Sequence, residues 1–135
     1  MKIAFDFDGV FIPDFNRIPI LEGLTEFYDM AHYARPIFKP EGEWILLTGR
    51  NPLFKDKTEA YITRHFDNPP TTVFHDRDVS TEKPWVYKTN VLNANPEIRY
   101  YIESDPHTVK YITEHITTDC SAICFADYIQ TNLTK

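Results

Sequence analysis

The sequence predicts an α/β fold built on a parallel sheet, and two observations carry that expectation. Five short apolar runs, Ile3–Phe7, Trp44–Leu47, Thr72–His75, Arg99–Ile102 and Ala122–Phe125, alternate with stretches of helical character, as strands joined by crossover helices do. At 135 residues the chain can bury one core and is too short for two domains, so residues 1–135 are expected to form a single domain.

Taken in order, the first run leads into residues 9–19. These mix Val10, Phe11 and Ile12 with Pro13, Asp14, Asn16 and Arg17 and keep neither a strand nor a helix period, so an ordered flap is expected beside Asp8. Leu21, Leu24, Tyr28 and Ala31 then recur at helical spacing until Arg35-Pro36 interrupts them, which predicts a first crossover helix. A second is predicted over about 52–66, with Asn51 as N-cap and Pro52 at the first helical position. A third fits roughly 84–93, closed by Asn95-Pro96, and a fourth runs from Pro106 to about Ile116 with Asp105 as its cap.

The formal net charge is −6, from 14 Lys and Arg against 20 Asp and Glu. That balance works against unassisted binding of a long polyanion, so any phosphate ligand needs local counter-charge. No apolar run approaches a membrane span, and Lys2 leads straight into a strand-like run rather than a cleavable leader, so a soluble, cytoplasmic protein without membrane partners is expected. Cys120 and Cys124 lack the grouped His or Cys of a zinc site and read as two buried or free thiols. His107 and His115 lie eight residues apart with no third acidic ligand in pattern, so zinc is not expected there either. His75 and the Asp76-Arg77-Asp78 run read first as a polar turn and second as a substrate-facing loop.

Ile3-Ala4-Phe5-Asp6-Phe7-Asp8-Gly9 sets two carboxylates at the end of an apolar strand. The two-residue strand period points both to one side. By itself the pair reads equally well as a strand end and a turn, because Asp-Gly starts turns routinely. As a site, it calls for a hard divalent cation such as Mg²⁺, which relieves the repulsion and neutralises a phosphate substrate. Ile45-Leu46-Leu47-Thr48-Gly49-Arg50 is a second strand ending before a predicted helix. A hydroxyl, backbone N–H groups and a helix N-terminus favour a phosphate there, although Thr48 could merely satisfy its own turn. A third strand ends in Glu103-Ser104-Asp105. In a doubly wound sheet these ends meet along one edge, where ligands bind.

The order Asp6/Asp8, Thr48, a lysine, then Glu103/Asp105 resembles the haloacid dehalogenase superfamily of phosphotransferases over nearly the whole chain. The resemblance implies a three-layer, Rossmann-like doubly wound parallel sheet of about five strands in the order 3-2-1-4-5. It also implies that Asp6 is the nucleophile and a Mg²⁺ ligand, forming an aspartyl phosphate. Asp8 is then the general acid/base, its backbone carbonyl reaching the metal. Thr48 and Gly49 bind the transferring phosphoryl group, and a lysine secures Asp6 and phosphate. Lys88 has the spacing of the phosphatase half of polynucleotide kinase-phosphatases, while Lys83, followed by Pro84, is the alternative. Glu103 is the first choice of acidic metal ligand and Asp105, with its competing cap role, the second. Val10 replaces the threonine that commonly follows the glycine.

The spacing from Asp8 to Thr48, and from Thr48 to the lysine, leaves no room for a large cap domain, so an open site is expected. Such a site suits a phosphorylated nucleic-acid end or a nucleotide, with a sugar or other metabolite phosphate as the alternative substrate. A catalytically silent binding module is a further reading, kept open by the atypical Glu103-Ser104-Asp105. A phosphoacceptor receiver domain is disfavoured, because receivers place the threonine after a later strand.

Overall fold

Residues 2–12 and 35–133 are described in the structure, a computed structural model. Five strands form one sheet: β1 (Lys2–Phe5), β2 (Ile45–Leu47), β3 (Thr72–Phe74), β4 (Ile98–Glu103) and β5 (Ser121–Cys124). All pair in parallel, in the order β3-β2-β1-β4-β5. The predicted order 3-2-1-4-5 is therefore present. The crossover helix expected around Leu21–Ala31, and the distal part of the expected flap, lie outside the described residues.

Alternation along the central strands divides the core between the two faces of the sheet. Phe5, Leu46 and Ile102 face one side, where they meet Phe7, Phe11, Trp44, Tyr61 and Phe66. Ala4, Ile45, Leu47 and Tyr101 face the other and meet Leu92, Ile98 and Ile112. Burial on both faces explains why these strands read as continuous apolar runs. The aromatic face is tightly meshed. Phe11 packs edge-on against Phe7, Trp44 and Phe66 at centroid separations of 5.7, 5.3 and 5.2 Å, an arrangement the ring quadrupoles favour.

Helices complete three layers. A 3-10 turn, Pro52–Phe54, runs into α1 (Lys55–His65). The Asn51 side chain accepts from Leu53 N–H, and Pro52 occupies the first position, where its missing donor costs nothing. Then come α2 (Pro84–Ala94), α3 (Pro106–His115) and α4 (Phe125–Leu133). Tyr61 and Ile62 of α1 and Tyr128 of α4 cover the aromatic face, while Tyr87 and Leu92 of α2 and Ile112 of α3 cover the other. Phe125, expected in the last strand, instead opens α4, which the sequence reading did not anticipate. β5 passes into α4 with no intervening turn residue, so the usual punctuation is missing. Among the described residues, no cap domain lies over the sheet, and no helix is long and apolar enough to cross a membrane. Cys120 and Cys124 are free.

Candidate active site

β1 lies in mid-sheet, so the residues just beyond its C-terminus are flanked by the ends of β2 and β4, next to the switch point in strand order. The Asp6 N–H continues the ladder to Ile102 O at 2.9 Å. Past it the chain turns: Gly9 adopts φ +80°, a left-handed conformation that disfavours a Cβ, and its N–H bonds Ile12 O at 2.6 Å. The turn drives Val10, Phe11 and Ile12 into the core. Because β1 ends at Phe5, strand alternation does not govern the two aspartates. They face different cations.

Asp6 faces Lys88. The ammonium of Lys88, reaching from α2, stands 3.3 Å from Asp6 Oδ1 and 2.6 Å from Glu103 Oε1, and all three residues are buried. Glu103 Oε1 also accepts from the Tyr101 hydroxyl at 2.9 Å, and Glu103 Oε2 accepts from Asp105 N–H at 3.1 Å. Burial, then the Glu103 charge, push Asp6 well above the usual carboxylate range against the pull of Lys88. Burial acts on Glu103 in the same direction, but Lys88, Asp6 and Asp105 N–H together outweigh it and hold Glu103 below its ordinary value. Asp6 is thus the more readily protonated of the two. Burial alone would lower Lys88, but the Asp6 and Glu103 charges raise it. The ammonium form is secure.

Asp8 faces Arg50. Arg50 Nε and Nη2 donate to Asp8 Oδ2 and Oδ1, both at 2.9 Å, a two-pronged guanidinium–carboxylate contact. Arg50 is itself held by Thr58 Oγ1 at 3.0 Å and by the ring of Phe7, whose centroid is 4.2 Å from its Cζ. The Asp8 backbone carbonyl accepts from Ser104 Oγ at 3.0 Å, across the β1–β4 switch point.

Thr48 is fully buried; its Oγ1 accepts from Arg50 N–H at 3.2 Å, leaving the hydroxyl hydrogen to donate. Gly49 is needed for close approach: a Cβ there would lie 2.8 Å from Pro84 Cβ and 3.4 Å from Lys88 Cε. The two candidate lysines separate clearly, since Lys88 sits against Asp6 while Lys83 is exposed as the residue preceding α2. Asp105 caps α3, accepting from His107 N–H at 3.2 Å and from Thr108 Oγ1 at 2.9 Å.

Of the sequence-predicted residues, Asp6, Lys88 and Glu103 form one ion-paired group with Asp8 beside it; Gly49 packs against Lys88, and Lys83 and Asp105 have other surroundings. Arg50, Tyr101 and Ser104 were not singled out from the sequence. A lone arginine two residues after the Thr48 strand end, on the same edge as two acids, was the available signal for Arg50. Although no cap lies among the described residues, the site is not widely open: only 4% of Asp6 and 6% of Asp8 is exposed. The ion pairs draw the side chains over one another. A cleft of about 480 Å³ lined by Asn51, Leu53, Arg77 and Val79 opens beside the Thr48–Arg50 loop. A second, of about 560 Å³, lies at the opposite edge of the sheet, lined by Glu41, Glu43 and Asp67 among others.

No group of three or more His, Cys, Asp or Glu side chains among the described residues is already arranged around a metal position. The donor chemistry nevertheless fits Mg²⁺, which takes one or two carboxylates and completes its shell with water and phosphate oxygens. The ionised form of Asp6 is disfavoured first by burial and then by the Glu103 charge, a cost a cation would relieve, and the Asp8 carbonyl would supply a second hard oxygen close by in the chain. No protein-family model, curated protein or solved structure matches this chain significantly.

Proposed function

We propose that this chain is a Mg²⁺-dependent phosphomonoesterase of the haloacid dehalogenase type, acting through an aspartyl phosphate at Asp6 on nucleotide or polynucleotide phosphates. The observation that carries the reading is Lys88 held between Asp6 and Glu103, at 3.3 and 2.6 Å, beside the C-terminal ends of β1 and β4. A lysine so placed neutralises the nucleophile's surroundings and offers a donor to a phosphoryl oxygen.

Asp6 Oδ attacks phosphorus, and the bond from phosphorus to the leaving oxygen breaks. Asp8 gives that oxygen its proton, so the alcohol departs and Asp8 stays behind as a carboxylate. Water then attacks the phosphoaspartate, Asp8 takes its proton, and the Asp6–phosphorus bond breaks to release inorganic phosphate. Thr48 O–H, the Gly49 amide and Lys88 hold the equatorial oxygens. The Asp6 carboxylate and the Asp8 carbonyl would hold Mg²⁺, with Glu103 as a further acidic ligand, and the ion would supply charge neutralisation at the phosphoryl group. The substrate class rests on the Lys88 spacing and on the absence of a cap among the described residues. The cleft beside Thr48–Arg50 offers room for a leaving group, with the aliphatic side chains of Leu53 and Val79 exposed at its rim.

Turnover of a panel containing 3′-phosphorylated oligonucleotides, mononucleotides and sugar phosphates, with and without Mg²⁺, tests this reading. Hydrolysis is expected to need Mg²⁺ and to vanish in Asp6→Asn; activity that survives either change refutes the mechanism. A second reading, a silent phosphate-binding module, is favoured by one observation, the engagement of both Asp8 oxygens by Arg50. Phosphate binding without turnover of any panel member would select it.

A further inference from the structure

In the proposed reaction, Asp8 must present an oxygen that carries a proton toward the leaving group. In the structure both Asp8 oxygens are acceptors for Arg50, and the pair is shut away from solvent, with side-chain exposures of 3% for Arg50 and 8% for Asp8. Asp8 therefore cannot act until the fork opens. What opens it has to give the guanidinium an equivalent partner, because a buried charge stripped of its partner is strongly unfavourable.

A phosphate dianion is such a partner. Its oxygens match the same two-donor edge of arginine that a carboxylate matches. Arg50 adjoins the expected phosphate position, since its own N–H is bound to Thr48 Oγ1 at 3.2 Å. Its guanidinium is kept oriented by Thr58 on one side and Phe7 beneath, so exchanging one anion for another needs little movement of Arg50 itself. Lys88 is under no such competition, because an ammonium has three donors and can keep Glu103 while adding a phosphate oxygen.

We propose that Arg50 is a phosphate-binding residue and that Asp8 competes for it, so that arrival of the phosphoryl group transfers the Arg50 fork from Asp8 to substrate and frees Asp8 to take up a proton from solvent and pass it to the leaving group. The inference rests on the phosphomonoesterase reading and adds to it a residue and an order of events. Engagement of Asp8 before binding and its release afterwards would then reflect one contact in two states, reconciling the locked fork with a catalytic site.

The test is a double-mutant cycle read by calorimetric binding of inorganic phosphate in saturating Mg²⁺, comparing the unaltered protein, Asp8→Asn, Arg50→Gln and the double variant. Asp8→Asn removes the competing charge while keeping the shape, and is expected to tighten phosphate binding about tenfold, the equivalent of one charge-assisted hydrogen bond. In the Arg50→Gln background the same change is expected to gain less than about twofold, because there is no fork left to release. If Asp8→Asn helps equally in both backgrounds, it acts by relieving simple repulsion, and the assignment of Arg50 is overturned. An absence of gain from Asp8→Asn when Arg50 is intact overturns it too. Lack of phosphate binding by all four proteins would overturn the phosphomonoesterase reading itself. Thermal melting checks that each variant folds; should Arg50→Gln not fold, Arg50→Lys keeps the charge, loses the fork and is expected to show a smaller gain than arginine does.

Discussion

His75 follows β3 at the same sheet edge as the carboxylates; it is fully buried, and among the described residues neither ring nitrogen has a hydrogen bond of good geometry. Burial first, then the Arg50 and Lys55 charges, push its pKa from 6.5 down to about 4, against weaker opposition from the Asn51 backbone and Asp76. The folded protein therefore keeps His75 neutral where the unfolded chain would protonate it. Folding stability from this residue is complete above the unfolded pKa of 6.5 and is lost as pH falls toward 4. Linkage over that interval gives a loss of about 2 kcal/mol by pH 5 and about 3 kcal/mol once pH is below the folded value. His75→Leu, of similar volume and with no nitrogen to protonate or leave unpaired, removes both burdens. Urea unfolding at pH 7.5 and pH 5 should show the unaltered protein losing about 2 kcal/mol more than the variant between the two conditions. Stability curves that fall in parallel would show that His75 is hydrated or bonded in solution and refute the argument.

Three other outcomes follow from the site. Lys88→Met should lower the midpoint of thermal unfolding by the equivalent of about 3–5 kcal/mol, because it strands two buried acids, and should abolish phosphatase turnover; a fully active variant would exclude the lysine from the site. Gly49→Ala should destabilise by about 1–3 kcal/mol, since the new methyl would meet Pro84 Cβ at 2.8 Å and crowd Lys88. Its activity should fall even at temperatures where circular dichroism shows it folded. Asp105→Asn keeps a side-chain oxygen for the α3 cap and removes the charge, so stability should change by less than about 0.5 kcal/mol and the Mg²⁺ concentration for half-maximal activity by less than about twofold. A large rise in that concentration would make Asp105 a metal ligand after all.

The outline of the fold was legible because its strands are buried on both faces. Runs such as Ile45-Leu46-Leu47 leave no polar position, and Asn51-Pro52 and Asp105-Pro106 mark the helix starts that follow β2 and β4. The boundaries were less so. β1 closes at Phe5 rather than Phe7, and α4 begins at Phe125, because apolar side chains continue across both junctions without a turn residue to mark them. The site was legible as a set of strand-end residues, since a parallel sheet gathers the C-termini of its strands whatever fills the loops. Its pairings were not.

What the sequence by itself determined is which residues come to one edge: Asp6 and Asp8 after β1, Thr48 after β2, Glu103 at the end of β4. What only the tertiary structure decided is which charges meet there. Lys83 and Lys88 differ by little more than one helical turn, yet only Lys88 points into the sheet edge to reach Asp6 and Glu103. Arg50 reaches back 42 residues to Asp8, and Ser104 reaches 96 to its carbonyl. Such partners are chosen by the rotation of a helix and the curl of a turn, which depend on how the two hydrophobic faces pack. A linear pattern carries the residues' types and spacing, but not that rotation.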